Sequence, residues 1–320
     1  MPHLQPHILH PELHSDNTLH VVAVVSNPAR FHSRYRLARD WYEGMKATPH
    51  VRPYIVEAAF GDRHHEVTET SNPDHLQVRT NTEVWNKENL INLGVRHLLP
   101  RDWRYVCWCD ADITFRDPHW AQETMHQLQH WPVIQPWQNC ADLDYYGGIQ
   151  QTFSSFGSLH QAGIRKQRWS DEPYAYGHSG FAWAATRPFW EQVGGLVDWA
   201  ILGSADHHMA WSMVGQVDST IHNKMQPSFY RKLHEWQARA LRVTHKQVGF
   251  AVGRIEHNYH GPKAKRRYRE RWQILVDHKF DPDKDLMYDG QGLIQLVGKP
   301  DLEQAIRLYN RERREDNLPE

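Results

Sequence analysis

Apolar residues in the first third of the chain form short runs that alternate with longer amphipathic segments. The runs are rich in β-branched and aromatic residues, as buried strands are, and they cover residues 19–25, 52–60, 75–80 and 105–108. Between them, apolar residues recur every three or four positions and predict helices over residues 31–45 and 82–98. Strands that alternate with helices predict an α/β domain with a mainly parallel, doubly wound sheet and helices on both faces.

Beyond Pro118 the alternation is less regular. The pattern predicts helices over residues 120–131, 205–216 and 264–277, and strands over residues 132–137, 179–186 and 252–257. Residues 138–177 are rich in Gly, Ser, Tyr and Gln and show neither the two-residue period of a strand nor the three-to-four-residue period of a helix. A connection of this length inside a compact domain is more often a functional loop than a linker, so we expect a substrate loop there.

Composition and charge narrow the class of protein only slightly. The chain has 320 residues, with Lys+Arg 37 against Asp+Glu 38, so its overall charge favours neither nucleic acid nor a membrane surface. Residues 1–18 predict a flexible tail without the apolar segment of a signal peptide, and no run is long enough for a membrane span. The three cysteines fit neither a disulfide framework nor a zinc site, which indicates a reducing compartment. Because the sequence also predicts no signal peptide and no membrane span, we expect a cytoplasmic protein.

Two aspartates, Asp110 and Asp112, directly follow the strand predicted at residues 105–108. Ligands of open α/β sheets bind beyond the carboxyl ends of the strands, and two carboxylates there are costly unless a cation neutralises them. A divalent metal that carries a diphosphate would satisfy both conditions. The alternative is an ordinary turn or helix cap, positions that aspartate also favours.

Further motifs follow in one order along the chain: WNKENLINLGV (85–95), YVCWCDADITF (105–115), GHSGFAWAATRPFWEQVGGL (177–196) and ILGSADHHMA (201–210). Together they resemble the nucleotide-sugar-dependent glycosyltransferases of the GT-A fold. Within that group the likeness is to the β-1,4-galactosyltransferase and chondroitin-polymerase type. The resemblance covers residues 19–277. It implies a catalytic domain at 19–280, with a donor-binding half at 19–118 and an acceptor half at 119–280, followed by a C-terminal extension at 281–320.

The resemblance also implies a metal centre. Asp112, together with Asp110, would hold Mn²⁺ or Mg²⁺ against the diphosphate of the donor, where the metal acts as a Lewis acid. A third ligand is implied just past the last strand, where the sequence offers both His257 and His260 without deciding between them. Imidazole beside carboxylates suits Mn²⁺ better than Ca²⁺.

The resemblance gives Asp206 the role of catalytic base, at the second position of an acidic pair whose first position is Ala205 here. A base opposite the leaving group implies single displacement with inversion. The alternative for Asp206 is a helix cap, since Ser204 and Asp206 begin an amphipathic run.

Contacts to the donor are implied along the helix at residues 82–98 and after the first two strands. The predicted residues are Asn86, Lys87, Asn92, Arg30, Arg34 and Glu57. For Asp110, a contact with the ribose or sugar of the donor is the alternative to binding the metal. Arginine can hold phosphate bidentately, and a carboxylate that ends the second strand can accept from ribose. The alternatives are helix–sheet packing for Asn92 and Gly94, and solvent-exposed side chains for the two arginines.

Two further segments are candidates for binding. Trp169, Tyr174 and Tyr176 could stack on a sugar or a base. The basic segment 261–272 could bind a diphosphate or a nucleic-acid backbone, although such runs are usually the solvated face of a helix.

These expectations define a metal-dependent glycosyltransferase that uses a nucleotide sugar, with UDP as the expected nucleotide. The acceptor stays open among a glycan, a protein and a hydroxymethylated DNA base. The alternatives are a nucleotidyltransferase on a similar sheet, which normally has a Gly-rich loop that SNPARF (26–31) lacks, and a non-catalytic carbohydrate-binding protein.

Overall fold

The computed structural model describes residues 17–164, 175–262 and 271–317. Within these ranges the strands are β1 (Leu19–Ser26), β2 (Val51–Phe60), β3 (His75–Thr80), β4 (Tyr105–Cys109), β5 (Ile113–Phe115), β6 (Val133–Gln135), β7 (Asn139–Leu143), β8 (Ile149–Ser154), β9 (Ala182–Thr186), β10 (Gly249–Phe250), β11 (Arg254–His257), β12 (Leu286–Tyr288) and β13 (Ile294–Leu296). The helices are α1 (His32–Lys46), α2 (Lys87–Leu98), α3 (Trp120–Gln127), α4 (Phe156–Gln161), α5 (Arg187–Val193), α6 (Ala205–Met213), α7 (Pro227–Thr244), α8 (Arg271–Asp277) and α9 (Pro300–Glu312).

A seven-stranded sheet forms the centre of the fold, in the order β10-β6-β9-β4-β1-β2-β3. Neighbouring strands are parallel except at β9, which is antiparallel to both β4 and β6. Because β1 and β4 are parallel neighbours, their carboxyl ends lie at the same edge. The predicted α/β fold with a mainly parallel sheet is confirmed.

Helices cover both faces of this sheet, so strands such as β1 are buried on both sides. In β1, Val22 packs toward the cluster that contains residues of α2, α6 and α7, whereas Val21 and Ala23 pack toward the cluster with α1 and α3. This alternation follows from the two-residue period of a strand.

A smaller sheet, β5-β11-β7-β8, stands beside the carboxyl edge of the main one. β5 is antiparallel to β11, with Ile113 opposite His257, and β7 is parallel to β11, with Asp142 opposite His257. This sheet therefore brings the turn after β4 next to the end of β11.

Several predicted boundaries are wrong. The helix predicted at residues 82–98 begins only at Lys87, and residues 138–177, predicted as one loop, contain β7, β8 and α4 in their described part. β8 is mostly polar and buries only Phe153 fully, so its strand period carried almost no hydrophobic signal. α7, α9 and the β12–β13 hairpin were not predicted.

The predicted C-terminal extension contains regular secondary structure. Residues 281–317 form the hairpin and α9, whereas the predicted tail lies outside the described residues except for 17 and 18. Among the described residues, no helix combines the length and the apolar character that crossing a membrane requires.

Gly94 lets α2 approach the sheet closely. A Cβ at this position would lie 2.8 Å from a methyl group of Val56 and 2.9 Å from one of Val22. We expect Gly94→Ala to lower the free energy of unfolding by about 1–3 kcal/mol, because the added methyl overpacks a rigid interface. Gly44→Ala, on the exposed side of α1 with nothing within 4 Å, is the matched control and should raise it by about 0.5–1 kcal/mol. Urea unfolding measures both changes, and equal effects would contradict this account of Gly94.

Candidate active site

A cavity of about 1280 Å³ opens at the carboxyl edge of the main sheet. Its walls come from the ends of β1 and β4, the first turns of α2 and α6, and the segment after β11. This is where open α/β sheets bind their ligands. The predicted site residues that line it are Arg34, Asn86, Lys87, Asp110, Asp112, Asp206, His257 and His260.

Three predicted metal ligands meet on one side of this cavity. Oδ2 of Asp112 lies 2.9 Å from Nε2 of His260, and Oδ1 lies 3.8 Å from Nε2 of His257. The two Nε2 atoms are 3.1 Å apart, so three potential ligand atoms converge on one point. The sequence left His257 and His260 as alternatives, and the structure brings both of them to Asp112.

The surroundings of this trio fit a bound cation. Nδ1 of His257 lies 2.6 Å from Oδ1 of Asp142, a buried carboxylate that turns the opposite nitrogen toward Asp112. Within the described residues, Oδ1 of Asp112 is buried and has no hydrogen-bond partner. Burial alone would raise the pKa of Asp112, but the imidazoles of His260 and His257 hold that pKa well below its usual range. The carboxylate is therefore ionised, the form that binds metal.

Asp110 faces Lys87 instead of the imidazoles. The Lys87 ammonium donates to Oδ1 of Asp110, and both side chains line the cavity. Burial raises the pKa of Asp110 and the nearby Asp112 raises it further, whereas Lys87 acts in the opposite direction. Asp110 as a metal ligand stays a prediction, and its described contact suits its other predicted role, beside the donor.

Asp206 lies in the first turn of α6 and opens into the cavity. Its Oδ1 accepts from the backbone N–H of His207 at 2.8 Å, while Oδ2 would lie only 2.8 Å from a Cβ at Gly180. Gly180 thus leaves room for the carboxylate. The preceding Ser204 has a left-handed backbone (φ 72°) and makes no capping bond with its side chain. Ala205, at the position of the missing acid, is fully buried in the core.

Glu88 is a cavity residue that sequence reasoning missed. It lies in the first turn of α2, is 5% exposed and lines the cavity. Burial raises the pKa of Glu88 to about 7, with Lys87 opposing the shift and Asp206 adding to it. An acid in a first helical turn is common because it complements the helix dipole, so Glu88 does not stand out in the sequence.

Two predicted asparagines of this region lie in different environments. Asn86 is buried at the cavity wall, and its Oδ1 has no hydrogen-bond partner in the described part of the chain. Asn92 instead accepts from the backbone N–H of Leu196 at 2.8 Å and donates to the carbonyl of Leu196 at 3.1 Å. These contacts favour the packing alternative for Asn92.

Of the other predicted donor-binding residues, Arg34 lines the cavity, whereas Arg30 and Glu57 do not. Arg34 lines the cavity but bonds twice to Glu315, at 2.5 and 2.7 Å. Arg30 is exposed outside the cavity wall. Glu57 is buried away from the cavity and accepts from the backbone N–H groups of residues 66–68 at 2.7–3.0 Å. Glu57 therefore has a clear structural role, and its predicted contact with ribose stays a prediction.

The aromatic and basic candidates are only partly described. Tyr176 lines the cavity and packs against His207, with ring centroids 5.4 Å apart. Trp169 and Tyr174 lie outside the described residues, as do residues 263–270 of the basic segment. At the end of that segment, Arg271 and Trp272 reach the cavity wall.

No family model matches the sequence, and no curated protein matches it. Solved structures do resemble the fold. The catalytic domain of Drosophila β1,4-galactosyltransferase 7 in complex with xylobiose shares 13% identity at a TM-score of 0.39, over 90% of this chain and 98% of that one. A mutant of that enzyme in complex with manganese, UDP-Gal and xylobiose gives 13% identity and 0.38, over 90% and 99%.

A third similar structure is a putative nucleotide-diphospho-sugar transferase from Desulfovibrio desulfuricans G20. It shares 9% identity at a TM-score of 0.33, over 75% of this chain and 82% of that one.

Proposed function

We propose that this protein is a metal-dependent glycosyltransferase that moves a sugar from a nucleotide diphosphate donor, a UDP-sugar, to an acceptor hydroxyl. One observation carries the proposal: the Asp112–His257–His260 trio and Asp206 line the same cavity at the carboxyl edge of the sheet. A metal-dependent, inverting glycosyltransferase uses a cation for the leaving diphosphate and a base for the acceptor hydroxyl within one cavity.

In this proposal Asp112, His257 and His260 would hold Mn²⁺ or Mg²⁺, and the mixed imidazole–carboxylate set favours Mn²⁺. The metal, when bound, supplies Lewis-acid stabilisation of the negative charge on the departing diphosphate. Lys87 and Asn86 lie along the same wall and bind the donor, with Asp110 held in place by Lys87.

Asp206 acts as the general base. Its carboxylate takes the proton of the acceptor hydroxyl as that oxygen attacks the anomeric carbon, and the bond from this carbon to the diphosphate breaks. Attack from the side opposite the leaving group inverts the anomeric configuration. The acceptor is a glycan, a protein or a hydroxymethylated DNA base. The proposal also includes the cytoplasmic location that the sequence predicts.

A panel of nucleotide sugars tests the proposal without knowledge of the acceptor. We expect one donor, most simply a UDP-sugar, to be hydrolysed slowly to free sugar and nucleoside diphosphate, with activity lost in EDTA and restored by Mn²⁺. Release of pyrophosphate from a nucleoside triphosphate and a sugar phosphate would indicate the nucleotidyltransferase alternative. The protein would instead be a binding protein if it bound UDP in a metal-dependent way but turned over no donor, whether or not a pool of acceptors was present.

A further inference from the structure

The segment that follows α9, residues 313–317, packs directly against the loop that carries His260. Gly261 has a left-handed backbone (φ 88°), and a Cβ there would lie 2.6 Å from the Cα of Glu315. The hydroxyl of Tyr259 donates to the carbonyl of Asn317 at 3.2 Å. The absence of a side chain at Gly261 makes room for this C-terminal segment.

The same segment is fixed on its other side by the beginning of α1. Asp316 accepts from the backbone N–H groups of His32 at 2.7 Å and Ser33 at 2.8 Å. Residues 313–317 thus join the first turn of α1 to the loop after β11.

Between these two anchors, Glu315 turns its carboxylate toward the metal centre. It is 2% exposed, and its Oε2 lies 3.4 Å from Nδ1 of His260. Arg34 bonds to both carboxylate oxygens, and Nε of Arg313 lies 2.7 Å from Oε1. The carboxylate is therefore fixed in position with its charge compensated.

The other nitrogen of His260 points at Asp112. An imidazole that donates through Nδ1–H to a carboxylate presents its Nε2 lone pair in a fixed direction, which is the arrangement that orients metal-binding histidines. Asp142 has the same relation to His257, at 2.6 Å. Each histidine of the trio thus has its own buried carboxylate.

We propose that Glu315 is a positioning residue of the metal centre, so that the C-terminal segment is part of the site and not an appended extension. The inference rests on the metal centre of the proposed function. It assigns to Arg34 the task of holding Glu315, in place of a direct contact with phosphate.

Mn²⁺ titration of the metal-free full chain by calorimetry, with no nucleotide present, tests this role. Glu315→Gln keeps the shape and removes the charge, and we expect it to weaken Mn²⁺ binding by about 10–100-fold. Asp316→Asn is the matched control, because it loosens the same segment at α1 without touching His260, and it should stay within about 3-fold of wild type. Thermal unfolding of the metal-free proteins establishes that both variants are folded.

Arg34→Lys provides a second variant should Glu315→Gln fail to fold. Lysine cannot hold a carboxylate bidentately, so Mn²⁺ affinity should fall by an intermediate amount, about 3–10-fold. The inference is overturned if Glu315→Gln folds and binds Mn²⁺ with wild-type affinity. If Glu315→Gln does not fold, wild-type Mn²⁺ affinity in Arg34→Lys overturns it instead. So does an equal loss in Asp316→Asn, which would make the effect one of general loosening.

The outcome also separates this inference from the proposed function. A wild-type protein that binds neither Mn²⁺ nor Mg²⁺ overturns the metal centre and the role of Glu315 together. Wild-type binding with an unchanged Glu315→Gln overturns the role of Glu315 alone.

Discussion

Replacing Asp206 by asparagine is expected to lower sugar transfer by about 10²–10⁴-fold, the usual contribution of a positioned general base. Asparagine has nearly the same shape as aspartate but cannot take up the acceptor proton. Because Asp206 is not one of the clustered ligands Asp112, His257 and His260, binding of Mn²⁺ and of the nucleotide should change little. Transfer assays at saturating donor, together with calorimetric titration of UDP and Mn²⁺, measure both quantities.

Asp218→Asn is the matched control for this substitution. Asp218 also lines the cavity, but its side chain is 70% exposed and contacts His234. Transfer by Asp218→Asn should stay within about 3-fold of wild type, as expected of an exposed side chain outside the chemistry. Transfer by Asp206→Asn at the rate of the Asp218→Asn control would exclude Asp206 as the base.

Asp112→Asn should weaken Mn²⁺ binding by at least about 100-fold, more than the loss of a carboxylate that only orients a ligand. Asp112 supplies the carboxylate of the trio, and without it the two imidazoles lose the negative charge that compensates a divalent cation. Metal-dependent hydrolysis of the donor should fall in parallel. Calorimetry with Mn²⁺ and a hydrolysis assay across Mn²⁺ concentrations measure both effects.

Asp110→Asn distinguishes the two aspartates that follow β4. The side chain of Asp110 contacts Lys87 instead of the imidazoles, so we expect this variant to keep Mn²⁺ affinity within about 10-fold while binding of the nucleotide sugar weakens. If Asp110→Asn lost metal as completely as Asp112→Asn, both aspartates would be ligands, as the sequence motif suggested.

The features that the sequence predicted well are local ones. β1, β2 and β4 are short, β-branched and flanked by turns, so their period and length identify them without tertiary information. The aspartates after β4 stand out because two carboxylates beyond the carboxyl end of a buried strand are costly unless a cation neutralises them.

The features that it missed depend on contacts between distant segments. Asp142 and Glu315 become significant only through His257 and His260, from which they are separated by 115 and 55 residues. Asp142 belongs to β7, inside the segment predicted as one loop, and Glu315 belongs to the segment predicted as an extension. The sequence left the choice between the two histidines open because it could not show that β5 pairs with β11 and places Asp112 beside both.

The small sheet has a consequence for how the protein folds. Its strand β11 lies more than 100 residues beyond β5 and β7 in the chain, and the trio exists only when β11 has paired with β5. An unfolded chain therefore lacks the converged ligands, and a cation that binds the native state alone stabilises it by mass action. Chelation should then lower the melting temperature as well as the activity, so that metal supply and protein lifetime are thermodynamically linked.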